Sequence, residues 1–192
     1  MTKDPMTPNS SNPAPATKAA FRDAMSLLGA PVVVVTTDGP AGRHGLTVSA
    51  ICSVSDTPPT VLVCLNRTNR SHEAFLANRT IGISILAAHH DDIASAFAGG
   101  TPGTDRFDHG VWRPAPHGAP LLEGALIGLD CTLDVIQSSG SHDVLFCRVE
   151  NIFQHPDRTE SRASGPLHAL AWFARRFHML PLAHPASKTD TK

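Results

Sequence analysis

The chain contains no tyrosine, and aromatic residues make up only 5% of its 192 positions. Its lysines, Lys3, Lys18, Lys188 and Lys192, all lie near the termini. A phosphate-loop lysine, a Schiff-base lysine and a tyrosine acid are therefore excluded from the centre of the folded body. Any anion there must be held by Arg, hydroxyls or backbone N–H groups. Net charge is nearly absent too: 16 Lys+Arg against 17 Asp+Glu leave −1, so no global field favours nucleic acid or an anionic membrane. No apolar run approaches the ~20 residues that span a bilayer, and the stretch Met1–Lys18 lacks the apolar segment of a secretory signal. Neither GxGxxG nor HExxH occurs. A nicotinamide cofactor would thus bind without a Rossmann fingerprint. His89-His90-Asp91-Asp92 is metal-like in composition only, because adjacent helical residues do not converge on one ion, and no metal is expected.

Cysteine is scarce and unpaired in sequence. Cys52, Cys64, Cys131 and Cys147 form no C-x-x-C, and each sits in an apolar run that reads as a strand. Small buried hydrophobes are the expected role, and the pattern suits a reducing cytoplasm.

What is present suffices for one domain. The chain is 41% hydrophobic and 17% charged, enough apolar material for a single core. Residues 1–17, rich in Pro, Ser, Thr, Asn and Ala, and residues 181–192 read as flexible tails around a body at 18–180. Within it, Ala19–Gly29 has the spacing of a short amphipathic helix. Val32–Thr37, Leu46–Val54, Thr60–Asn66 and Thr80–Leu86 read as strands. Ser71–Asn78 predicts a short helix with Ser71 as its N-cap, and His90–Phe97 another, closed by Gly99-Gly100. Thr101–Pro120 is dense in Gly and Pro and reads as a long loop. Leu126–Ile136 and Asp143–Phe153 are long strands joined through Gln-Ser-Ser-Gly-Ser, and residues 167–178 hold a last strand or helix. Strands in consecutive runs with short helices predict a mainly β fold, a β-barrel in preference to a doubly wound parallel sheet.

Two segments carry candidate chemistry. In Leu46–Ser55, alternation puts Leu46, Val48, Ala50, Cys52 and Val54 on one face and Thr47, Ser49, Ser53 and Ser55 on the other. A hydroxyl-bearing face with small neighbours admits a flat polar heterocycle; it is equally the face of an ordinary solvated strand. One strand later, Asn66-Arg67-Thr68-Asn69-Arg70-Ser71-His72 leads into a helix start. Such a terminus with two Arg, a Ser and a His can take a phosphate, or it is a solvated loop with a structural cap. Together the segments suggest a phosphorylated flat-ring cofactor. Ser141-His142-Asp143 has the letters of a hydrolase triad, but neighbouring strand residues face opposite ways and cannot form one.

Several segments resemble the flavin reductase family in order and spacing. They are Phe21–Met25, Thr36–Pro40, Gly45–Val54 with Asp56–Pro59, Val61–Arg67, Asp105–Phe107, Ser139–Phe146 and Trp172–His178. The resemblance implies an FMN-binding split β-barrel, a homodimer, with the isoalloxazine along Thr47-Val48-Ser49-Ala50. It places Cys52, Ser53, Cys64, Leu65 and Asn66 against the ring or ribityl chain. Ser71 and His72 would lie near the phosphate, with Arg106 a further candidate. Trp172 and Arg176 fall where members often carry a Tyr and an Arg near the flavin. His142 lies where many members have Gly-Asp-His and would sit beside the nicotinamide. The implied reaction passes hydride from NADH to FMN, with NADPH and FAD as alternatives, and releases reduced flavin to a separate oxygenase in the cytoplasm. Three rivals stand beside it: an oxidase of the pyridoxamine-phosphate type, a flavin carrier or sensor, and a ligand-free interaction module.

Overall fold

The β-branched run Val32–Thr37 sets the architecture, because both of its faces are buried. Val33 and Val35 enter one apolar cluster while Val32 and Val34 enter a second. A strand covered on both sides reads as continuous hydrophobicity and not as alternation. Each fully buried valine contributes about 1.5–3 kcal/mol relative to exposure.

The computed structural model describes residues 16–100, 103–155 and 167–182, so nearly all of both expected tails lies outside the described residues. The elements are α1 (Lys18–Ser26), β1 (Ala30–Pro31), β2 (Val33–Thr37), β3 (His44–Val48), β4 (Ile51–Asp56), β5 (Pro59–Asn66), α2 (His72–Asn78) and β6 (Thr80–Ile85). They continue with α3 (Asp91–Ser95), β7 (Trp112–Pro114), β8 (Pro120–Leu122), β9 (Ile127–Ser139), β10 (His142–Gln154), β11 (His168–Phe173) and β12 (Arg176–Pro181). A π turn over Ala96–Gly100 extends α3, and a 3-10 turn covers Gly103–Asp108.

Seven antiparallel strands form the main sheet in the order β3-β2-β6-β9-β10-β5-β4. In a flat sheet the outer strands would stand roughly 29 Å apart, six strand spacings. Yet only Ser49 and Ala50 separate β3 from β4, a link that reaches about 11 Å at most. The sheet must therefore roll up. Its inner face confirms the roll: Leu46 and Val48 of β3 pack in one cluster with Leu65 of β5, Leu129 of β9, Leu145 of β10 and Ile51 of β4. The ladder runs from β3 through to β4 without joining them, so this is the mainly β split barrel, open between those two strands. A smaller sheet, β1-β11-β12, and the β7–β8 pair cover other faces.

The structure corrects the single strand expected at Leu46–Val54. The chain breaks at Ser49-Ala50 into strands on opposite edges of the sheet, so the alternation does not carry through: Leu46 and Val48 are buried, whereas Ala50, Cys52 and Val54 are exposed. Of the cysteines expected in the core, Cys131 and Cys147 are buried, Cys64 is half-buried and Cys52 is exposed; all four are free thiols. The long loop contains the 3-10 turn and β7. The connection between the long strands shrinks to Gly140-Ser141, because β9 pairs on through Ser139. Gly140 has φ +55°, at the turn position where a type II′ hairpin requires it.

Candidate active site

The β3–β4 junction opens onto a cavity of about 380 Å³. Val32, Thr47, Val48 and Ser49 line one side, Ser95 and Ala98 another, and Trp172 and Phe177 a third. The last two stack edge-on, ring centroids 5.1 Å apart, on neighbouring strands β11 and β12. The α3 wall is held in place by β3: the Thr47 hydroxyl donates to the Ala94 carbonyl at 2.7 Å. Behind the wall, Phe97, Phe107 and Trp112 pack with centroids 5.0–5.3 Å apart. Gly45 makes this fit possible, since a Cβ there would stand 2.6 Å from the Phe97 ring. The result is a slot with apolar walls, aromatic at one side, and hydroxyl groups along β3 and α3.

The junction leads directly to β5. The Cys64 N–H donates to the Ala50 carbonyl at 3.0 Å, and Ile51 lies opposite Val63. Farther along β5, Asn66 lies opposite His142 of β10. Thr47, Val48, Ser49, Ala50, Cys64, Leu65, Asn66 and His142 are thereby strung along one end of the rolled sheet. Leu65 is buried in the core, and Asn66 closes its own turn by accepting from the Thr68 N–H and hydroxyl, both at 2.9 Å. Burial pushes the Cys64 thiol above its ordinary range. Cys52 and Ser53 are exposed on β4.

The helix start at Ser71 departs from expectation. Ser71 occupies the N-cap position but its backbone is helical and its side chain caps nothing; it is buried, and its N–H is taken by the Asn69 side chain at 2.9 Å. His72 is buried as well. Its Nε2 lies 2.7 Å from Asp143 Oδ2 and its Nδ1 3.2 Å from Glu73 Oε1. A carboxylate only accepts, so Nε2 carries the proton toward Asp143. Ser138 donates to the other Asp143 oxygen at 2.7 Å. These bonds, from Ser138 first and His72 second, hold the Asp143 carboxyl below its usual range. As expected, Ser141, His142 and Asp143 form no triad: Asp143 turns to His72 and Ser138, while Ser141 Oγ lies 2.9 Å from His142 Nδ1.

The other expected residues are more dispersed. Arg106 donates to the Gly45 carbonyl at 3.0 Å, beside β3. Trp172 lines the cavity; Arg176 is exposed at the start of β12, just past the Ala174-Arg175 turn. That turn has positive φ at both residues and is pinned to α1 by the Ala174 N–H on the Ser26 carbonyl and by an Arg175–Asp23 ion pair. Sequence reading missed Ser95, Ala98 and Phe177 in the cavity wall, and Asp143 and Ser138 as partners of His72. The first three lie far along the chain from β3, and only the fold brings them there. A spacing signal existed for Asp143 alone, as the inward neighbour of His142 in a strand.

Away from this end, two histidines have altered chemistry. Burial, reinforced by His89, lowers His90 to about 4, and its Nδ1 accepts from the Ala87 N–H at 3.3 Å. His117 donates to the buried Asp130 carboxylate at 2.8 Å and is raised by that bond. Among the described residues no group of three or more His, Cys, Asp or Glu side chains is arranged to hold a metal, and no helix is long and apolar enough to cross a membrane.

Comparison with known proteins gives a consistent family. The model of the flavin reductase like domain matches residues 25–181. FMN reductase (NADH) RutF of Serratia proteamaculans (strain 568) is 44% identical over 163 residues, covering 85% of this chain and 88% of that protein. Among solved structures, BorF, the flavin reductase component of a bacterial two-component tryptophan halogenase, superposes with a TM-score of 0.76 at 29% identity, covering 87% of this chain and all of that one (100%). Streptomyces globisporus C-1027 NADH:FAD oxidoreductase SgcE6, in complex with NAD and FAD fragments, gives a TM-score of 0.76 at 25% identity, covering 94% and 100%.

Proposed function

The chain belongs to the flavin reductase family, and from that premise we infer that it is an NADH:flavin oxidoreductase with FMN as its flavin. The observation that carries the reading is the cavity at the β3–β4 junction. Its residues fit a flat heteroaromatic ring: Val32, Val48, Trp172 and Phe177 offer apolar contact, while Ser49, exposed at the mouth, offers polar groups to a ring edge. When bound, flavin and nicotinamide supply the hydride-transfer chemistry between them, and no protein nucleophile is required. The chain's own residues bind, orient and keep water out. Thr47 acts on the wall: its hydroxyl goes to Ala94, so it sets where Ser95 and Ala98 stand. Cys64, Leu65 and Asn66 extend the site along β5 from the ring toward Ser71. His142, half-exposed at the hairpin, would hold the nicotinamide. Arg106 supports β3 through Gly45, and Arg176 is exposed at the start of β12, next to Phe177.

The finer readings belong here as well. Relatives named for NADH and FMN support those two over NADPH and FAD. The reductase component BorF supports a separate oxygenase as the recipient of reduced flavin. A homodimer is supported by exposed Phe21, Met25, Leu27 and Leu28 beside an apolar groove of about 600 Å³ that includes Phe173 and Met179. Four unpaired thiols support residence in the cytoplasm.

The test is one assay: purified protein, NADH and FMN, followed at 340 nm. Flavin-dependent NADH loss supports the reductase. Tight flavin binding without turnover would return the carrier reading, and no flavin binding would leave an interaction module.

A further inference from the structure

Resting on the reading above that His142 faces the nicotinamide, we propose that Asp143 is a positioning residue that fixes His142 for NADH through its bonds to His72 and Ser138. Asp143 is 4% exposed, and each of its carboxylate oxygens binds a different element. Oδ2 accepts a hydrogen bond from His72 Nε2 at the start of α2, and Oδ1 accepts one from the Ser138 hydroxyl on β9, both at 2.7 Å. Its backbone lies opposite Ser138 on one side and Leu65 on the other. One side chain thus ties β9, β10 and the connection from β5 into one unit.

The consequence for His142 follows from strand geometry. Consecutive residues face opposite ways, so an anchored Asp143 fixes the rotation of β10 about its axis and directs His142 outward. The turn beside it has little stiffness of its own: it is Gly140-Ser141, steadied by the Arg67 N–H on the Ser141 carbonyl at 3.1 Å and by the Arg67 guanidinium on the Gly140 carbonyl. Burying a carboxylate against a histidine is a poor way to gain stability, since apolar residues of the same volume often do as well. Directional hydrogen bonds, unlike apolar packing, specify an angle. An angle is what a side chain presented to a bound nicotinamide needs.

The experiment is steady-state FMN-dependent NADH oxidation by the full chain, for His142→Ala, Asp143→Asn, the two combined, and Ser138→Ala. Asp143→Asn is expected to raise the KM for NADH about 5- to 10-fold, with the KM for FMN and kcat within about 2-fold, and to add nothing in the His142→Ala background. Equal rises for NADH and FMN would mean a merely structural role and would overturn the proposal. So would an unchanged KM for NADH, or an effect that adds in full to His142→Ala. Should Asp143→Asn not fold, Ser138→Ala removes one bond and keeps the His72 pair. It is expected to give a smaller NADH-selective rise that is again absent with His142→Ala, and no selectivity overturns the proposal. Failure of the underlying reading shows separately, as a His142→Ala single variant with unchanged KM for NADH.

Discussion

The cavity at the end of β3 and the polar cluster at the foot of the β9–β10 hairpin are built from the same kinds of residue, yet they do opposite things. In the cluster, the buried His72 and Asp143 spend their polar atoms on each other and on the exposed Ser138 and Glu73. In the cavity, Thr47 and Ser95 bond to the protein, to Ala94 and Asp91, while Ser49 stands exposed at the mouth. The comparison teaches that Ser, Thr and His near a site are not evidence of ligand contact in themselves. Burial and partner decide. A buried pair whose polar atoms are already bonded shapes a site from behind; an apolar slot with a few open polar groups receives something.

The contrast can be broken most forcefully from the cluster side. Asp143→Ala leaves the buried His72 without its carboxylate, and the expected outcome is a Tm lowered by roughly 10 °C. A thermal melt indistinguishable from the parent chain would show that the cluster is no anchor. The cavity should respond the other way. Ala98→Trp places an indole in open space at the slot, so the melt should stay within about 2 °C while the KM for FMN rises about 10-fold or more. A large stability loss with unchanged KM would reverse the two regions' roles.

Smaller effects sharpen the picture. Thr47→Val keeps the shape of β3 but leaves the Ala94 carbonyl without its donor, which should cost about 1 kcal/mol in urea unfolding. The KM for FMN should rise about 3-fold because the α3 wall loosens. A direct bond from Thr47 to flavin would instead leave stability untouched. A further effect is on pH dependence. His90 is lowered from 6.5 to about 4 in the fold, so as pH falls through that window the unfolded chain takes up a proton that the native chain refuses. Stability therefore drops between about pH 6.5 and 4, and His90→Asn should flatten that part of the curve. Asp143 is held below its ordinary 3.8, so its contribution is present above that value and is lost as pH falls through the lower, folded one. Asp143→Asn should flatten only this more acidic part.

Much of the fold was legible in the chain itself. The run Val32–Thr37, the long apolar stretches around Cys131 and Cys147 and the scarcity of long helices were enough for a mainly β barrel. The break at Ser49-Ala50 was not legible, because Leu46–Val54 alternates as well across two short strands as along one; what separates them is the rolling of the sheet, a property of all seven strands. At the site, the hydroxyls of Thr47 and Ser49 could be read but not their partners. Ala98 and Phe177 have no sequence signal at all, being an ordinary helical alanine and a strand phenylalanine until the fold sets them around one slot. His72 reads as an anion ligand at a helix start, and only the fold shows its Nε2 donating to Asp143.

The most direct test is a crystal structure of the chain with FMN bound. The predicted result is density for the ring between Trp172–Phe177 and the Thr47–Ala50 junction, with His142 at the open side. Density in the groove between Gly29 and Leu180, or in the separate pocket bounded by Arg113 and His155, with the β3–β4 slot empty, would contradict the assignment.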